Sequence, residues 1–420
     1  MTWLSNLYKT YENNLEAIGV YEKKKNDQEF ALIPVSHTTQ SAQIEVFLDD
    51  RGNFDSAKVI DKSDASTIIP CTEASASRTS APAPHPLFDK LVYVAGDYME
   101  YGGEVKKGSP HAEYLNNLRE WCDSPYAHPK VKSVYTYLSK GTLIEDLISE
   151  KIMFVDEHHK FIEKWNKAME DKYGEKPELF KVVSSDQSGA FVRFSVHVIG
   201  EVESRLWRDN TVQESFFRFY NEKLNDCDLC YVTGESLPFA DKHASRIRHS
   251  ADKTKLISAN DTSGFTFRGR FLSSRDAASI SYDVSQKAHN ALKWLIAKQG
   301  YSIDGKVFLV WGTQEQQLPD PLSDSYSIYG IYGEAHEVTG DLTHKHFANQ
   351  IKLAIEGYKH DMDYRSKVMI MVLDAATPGR MSVVYYRELE QEVFLNRLQH
   401  WHLTCYWLHR HKNHTDNSYF

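Results

Sequence analysis

The chain has 420 residues, of which 41% are hydrophobic and 25% charged, and a net charge of −9. That is a globular composition long enough for two or three domains, and its acidity argues against a free-standing DNA coater. Five cysteines, few and odd in number, argue for a reducing cytoplasm over a disulfide framework, no apolar run approaches the roughly 20 residues of a membrane span, and the start MTWLSNLYKTYENN is not a signal peptide.

Trp3, Leu4, Leu7, Tyr8, Tyr11, Leu15 and Ile18 recur at helical spacing, with Gly19 as a stop. Residues 30–35 read as a strand. Ile44, Val46 and Leu48 alternate, and residues 50–53 turn the chain toward a second strand at 57–60. Residues 63–86, rich in Ser, Thr, Ala and Pro, read as one long irregular run, the kind that carries function or disorder. Residues 111–170 are expected to be mostly helical, 190–198 a strand, 212–224 an aromatic-rich helix and 306–311 a buried strand. Residues 368–373 and 381–386 are expected to pair as a hairpin around Thr377 to Arg380. A final amphipathic helix is expected over 388–409. The expected fold class is α+β, with short antiparallel sheets, long loops and packed helices. Three parts are expected: α+β over 1–110, mostly helical with one strand pair over 111–225, and α+β again over 226–420.

Local charge departs from the global balance. Residues 242–270 hold seven cations, Lys242, Arg246, Arg248, Lys253, Lys255, Arg268 and Arg270, against Asp252 and Asp261. A basic segment on an acidic protein is the pattern of a localised phosphate contact. A polar turn, Asn260 to Gly264, leads into Phe265, Phe267 and Phe271 alternating with Arg268 and Arg270. Aromatics beside arginines suit base stacking and phosphate pairing, although on one strand the two sets face opposite ways. The alternative is that the phenylalanines are core and the arginines a solvated face. Cys227, Cys230, His243 and His249 form C-x2-C-x12-H-x5-H, within the spacing of structural zinc ligands. Their alternative is a reduced cysteine pair near a turn, so zinc is the one cofactor considered. No phosphate-binding loop, dinucleotide fingerprint or nucleophile elbow appears. His360-Asp361 and the histidines at 400, 402, 409, 411 and 414 show no assignable constellation.

Two blocks carry a resemblance. The first holds Pro70, Thr72, Ser75 and Arg78, then Pro84-His85-Pro86-Leu87, then Asp89-Lys90-Leu91, Tyr93-Val94 and Gly96. The second holds the Asn260 turn and Ser281-Tyr282-Asp283-Val284-Ser285, followed by Ala288, Ala291, Leu292, Trp294 and Leu295. With the C-x-V-T-G-E element at Cys230 to Glu235, the chain resembles the large subunit of the type I-C CRISPR Cascade surveillance complex. The resemblance implies a non-catalytic, cytoplasmic subunit beside crRNA, the handle-binding and backbone subunits and a small subunit. Such a subunit recognises a short T-rich protospacer-adjacent motif (PAM) in duplex DNA, helps to open the duplex, steadies the displaced strand and docks a helicase-nuclease. Relatives continue into a helical C-terminal region, whereas this sequence stops at Phe420. The family places motif recognition in the N-terminal part. That assigns the PAM to Thr72, Ser75, Ser77 and Arg78, with a clamp on the crRNA handle as the competing role. Arg246, Arg248, Lys253, Lys255, Asn260, Arg268 and Arg270 are the candidate backbone contacts. A metal-dependent nuclease or phosphohydrolase and a stand-alone single-strand binding module are the alternative function classes.

Overall fold

The computed structural model describes residues 2–24, 29–76, 78, 83–184, 186–249, 252–258, 271–312, 367–377 and 379–405. The described residues group into two compact units, one within Leu15–Lys298 and one built from Met1–Asn14 with Gln299–Phe420. The class is α+β, as the sequence predicts, and its sheets are short and open.

The larger unit is organised by Ile44, Val46 and Leu48, which are fully buried on the strand Ile44–Asp49. Asp49 accepts from the amides of Arg51 and Asn53, and Gly52 takes a φ of 76°. That turn returns the chain as Phe54–Val59, antiparallel to the first strand. The other edge of Ile44–Asp49 pairs with Phe191–His197 in parallel, a pairing the sequence does not reveal. Asp89–Lys90 completes a four-stranded sheet. Against it pack Tyr114, Leu118 and Trp121 of Pro110–Asp123, Val131 and Val134 of Pro129–Leu138, and Phe216 of Asn210–Asn221. One core therefore runs from Ala42 to Phe219 and crosses the boundary expected at 110/111. The expected helical stretch is interrupted: after Leu143–Ser149 the chain is irregular until Lys167–Tyr173.

Two further differences bear on the site. The run at 63–86 is partly regular, with Ser66–Pro70 a strand paired to His37–Ser41 and Glu73–Ala76 a one-turn helix. Ile68 and Ile69 bury this strand, which Ser/Pro composition around it conceals. The strand expected at 30–35 is only Glu29–Ala31, paired with Tyr21–Lys23.

The smaller unit holds the helix Trp3–Glu12 and an antiparallel sheet of Tyr301–Ile303, Lys306–Gly312, Lys367–Thr377 and Arg380–Glu390. The expected hairpin closes at Thr377 and Arg380. Asn6 donates from Nδ2 to Tyr386 Oη at 2.6 Å and to Glu388 at 2.9 Å, and Trp311 Nε1 donates to Thr10 Oγ1 at 3.1 Å. The closing helix is Gln391–Thr404; residues 388–390 finish the strand instead. Among the described residues, no helix is long and apolar enough to cross a membrane.

Candidate nucleic-acid interface

Three chain segments meet in the larger unit around a cleft of about 300 Å³. One is the Thr72–Arg78 loop, the second is the basic segment at 242–255, and the third is the helix Tyr282–Gln299. Among the described residues six cations line the cleft, Arg78, Lys90, Lys242, Arg246, Lys255 and Lys293, against the single carboxylate of Glu73. The sequence places the first two segments roughly 170 residues apart; the fold makes them neighbours.

The loop is ordered by its own hydroxyls. Thr72 N–H donates to Ser75 Oγ at 3.0 Å, and Ser75 N–H donates to Thr72 Oγ1 at 3.1 Å. This reciprocal pair caps the turn Glu73–Ala76. Ser75 Oγ also lies 3.0 Å from His85 Nδ1, and Ser75 is 2% exposed. Ser75 therefore holds the loop to the Pro-His-Pro-Leu element, leaving Thr72 as the more accessible hydroxyl. Arg78 lines the cleft but its guanidinium is engaged. It grips the fully buried Asp89 with both ends, at 2.6 and 2.7 Å, donates to the Ala83 carbonyl and lies over the Tyr93 ring. Asp89 also accepts from the His85 amide at 2.7 Å. A direct contact of Arg78 with the PAM duplex is thus opposed by a bidentate buried ion pair. Ser77 lies outside the described residues.

The basic segment divides in two. Arg246 and Lys255 face the cleft with Lys242, and among the described residues none of the three side chains has an ion-pair partner. Arg246 adopts a left-handed φ of 57°, held by its N–H to the Asp252 carbonyl at 2.8 Å. Such a conformation costs on the order of 1–3 kcal/mol in a non-glycine residue and concentrates at ligand sites. Arg248 instead pairs with Asp252 at 2.8 Å and anchors the segment, while Lys253 is exposed away from the cleft lining. Burial raises the Asp252 carboxyl, but the bonds from Arg248 and from the Thr254 hydroxyl and amide together outweigh it and hold it down at about 2. Asn260, Arg268 and Arg270 lie outside the described residues, as do Phe265, Phe267, His360 and Asp361.

The third wall is the helix of the second resemblance block, whose polar stripe beyond Tyr282 was not singled out by sequence. Val284, Ala288, Ala291, Leu292 and Leu295 bury one side of the helix Tyr282–Gln299, and Ser281 Oγ accepts from Val284 N–H at its start. Tyr282, Gln286, Asn290 and Lys293, spaced by four, four and three, line the cleft. The last three fall at unspecified positions of the family signature, so the motif marks the core and omits the polar stripe. Lys293 Nζ has neither hydrogen bond nor ion pair among the described residues. Burial, with Arg246 adding to it, lowers its pKa to about 8. Burial also lowers Lys255, and Lys242 adds to that shift. The nearby histidines are held neutral by burial: His37 and His85 at about 4, and His243 at about 3. The cleft thus crowds like charges, which an anion bound there would offset.

The four proposed zinc ligands are not brought together. Cys227 is exposed on the strand Cys227–Leu229, whereas Cys230 is buried with Sγ accepting from the Ser281 amide at 3.4 Å. His243 Nδ1 lies 2.8 Å from Ser285 Oγ, and His249 is exposed. Among the described residues no group of three or more His, Cys, Asp or Glu could hold a metal. The C-x2-C spacing here belongs to a hairpin, Cys227–Leu229 with Ser236–Pro238, whose turn uses Gly234 at a φ of 78°.

With that geometry in place, comparison with known proteins identifies the family. The model of the CRISPR-associated protein family Cas_Csd1 matches residues 7–420, and the chain belongs to that family. No curated protein matches it.

Proposed function

We propose that this member of the Cas_Csd1 family is a non-catalytic large subunit of an RNA-guided Cascade complex, and that the cleft is its nucleic-acid contact. In this reading the Thr72 loop faces the PAM duplex, helping to open it. Arg246, Lys255, Lys242 and Lys293 hold phosphates beside it and steady the opened strand. crRNA, the backbone and handle-binding subunits, the small subunit and the helicase-nuclease are the partners of such a subunit. One observation carries the proposal. A CRISPR-associated chain of net charge −9 gathers unpaired cations in one cleft, next to a loop of the N-terminal part that carries a family signature. Base pairing with crRNA reads the target, so protein contacts are needed chiefly for the short motif and the backbone.

The test is the double variant Arg246→Ala/Lys255→Ala in the assembled complex. It should assemble normally, bind target DNA more weakly whatever the sequence, and lower the slope of log affinity against log salt by about two. Unchanged affinity and slope would refute the phosphate contact. Thr72→Ala should chiefly reduce discrimination between targets with and without the motif, by roughly 5- to 150-fold if a base contact is lost. Failure to assemble on crRNA would instead make the loop a handle clamp.

A further inference from the structure

Phosphate binding accounts for the cations but not for the amides beside them. Gln286 and Asn290 lie between Tyr282 and Lys293 on the helix stripe, and Thr38 and Gln40 line the same cleft. Asn290 Nδ2 donates to the carbonyls of Ile33 at 3.1 Å and Pro34 at 3.2 Å. That fixes the orientation of the amide and leaves Oδ1 as the acceptor available to a ligand. The Gln286 side chain is half-buried and has no hydrogen-bond partner among the described residues. Lys293 follows Asn290 by one helical turn, about 4.5 Å along the axis.

We propose that the cleft seats one unpaired nucleotide, with its phosphate on Lys293, Lys255 and Arg246 and its base edge against Gln286 and Asn290. The inference rests on the cleft being a nucleic-acid contact and names what that contact holds. A backbone contact alone needs only a surface of cations. Here the cations line a concave volume of about 300 Å³, at the lower end of small-ligand pockets and too small for a duplex. A base offers its pairing edge to side-chain amides only when it is unpaired and turned out of the stack. Amide donors and acceptors beside a phosphate anchor match those two parts of a nucleotide. The ligand can come from RNA or from opened DNA, and the sugar tells them apart.

The experiment titrates the purified full chain with deoxyadenosine monophosphate, adenosine monophosphate, deoxyribose 5-phosphate and inorganic phosphate, by ligand-observed NMR. The expected order places a nucleotide above the sugar phosphate by about fivefold or more, the worth of one or two net hydrogen bonds. The tighter of the ribo and deoxyribo forms identifies the strand. Gln286→Ala, which removes no hydrogen bond within the described protein, should narrow that gap and leave the affinity for deoxyribose 5-phosphate unchanged. Lys293→Met should weaken all four ligands. Equal affinity of nucleotide and sugar phosphate would overturn the nucleotide pocket and leave the backbone contact standing. Absence of binding by every probe would also overturn it; the Arg246→Ala/Lys255→Ala variant of the complex then decides separately whether the cleft touches nucleic acid.

Discussion

At the scale of single residues, the cleft separates side chains that hold its walls in place from side chains that line it without an ion-pair partner. Arg78 belongs to the first group. Arg78→Ala leaves Asp89 buried without its cation, and breaking such a pair typically costs about 3–5 kcal/mol. Denaturant unfolding should show that loss, whereas Thr72→Ala, which removes one half of the loop's cap, should cost less, about 0.5–2 kcal/mol; equal stability of Arg78→Ala and wild type would return Arg78 to the pool of free contacts. Lys293 belongs to the second group and has the opposite signature. Its folded pKa of about 8 lies below the usual lysine value, so its charge opposes folding at pH 7 and that penalty fades as pH rises through 8. Lys293→Met should therefore raise the thermal midpoint at pH 7, by roughly 2–4 °C per kcal/mol relieved, while weakening nucleic-acid binding. Wild-type affinity should also fall between pH 7 and 9. The buried histidines titrate far below that range, and Cys71 beside Lys293 is pushed up to about 11 by burial. A variant less stable than wild type, or an affinity that does not change with pH, would contradict an unpaired lysine awaiting an anion. The sequence offered Arg78 as a contact because an arginine among small hydroxyls reads the same whether it is free or paired. Asp89, eleven positions on, is what decides its role.

At the scale of elements, regular hydrophobic patterns were legible and pairings distant in sequence were not. The alternation at Ile44, Val46 and Leu48 and the turn at Thr377 to Arg380 each specify a local hairpin, and both are present. The parallel pairing of Ile44–Asp49 with Phe191–His197 depends on packing across almost 150 residues, which no local signal encodes. The strand Ser66–Pro70 was hidden by the polar residues flanking four buried positions. The cysteine spacing left zinc and a reduced pair near a turn both open, since a two-residue gap is shared by metal knuckles and ordinary hairpins. Because the hairpin Cys227–Pro238 is closed by backbone pairing and its four candidate ligands do not converge, a chelator should leave the melting temperature unchanged. Elemental analysis should find less than a tenth of a zinc per chain, and one zinc per chain would show that Cys227, Cys230, His243 and His249 rearrange around a metal.

At the scale of the whole molecule, family resemblance and residue physics divided the work. The two blocks at 67–98 and 257–296 named a CRISPR Cascade subunit, which the match over residues 7–420 supports. The first block supplies one wall of the cleft, whereas the signature in the second block records mainly the apolar side of Tyr282–Gln299. The cleft emerges only when that helix, the Thr72 loop and the basic segment are folded together, and its ligand-facing residues are largely those the motifs leave open. This is how an acidic chain can present a basic cleft: net charge reports the whole surface, while a phosphate contact depends on a local cluster. The most direct test places a diazirine amino acid at Gln286, in the middle of the helix stripe, within the assembled complex on target DNA. Irradiation should cross-link this position to crRNA or to a DNA strand, and an excess of inorganic phosphate or salt should suppress the product together with binding. A complex that binds its target fully yet cross-links Gln286 only to protein would contradict the cleft as the nucleic-acid contact.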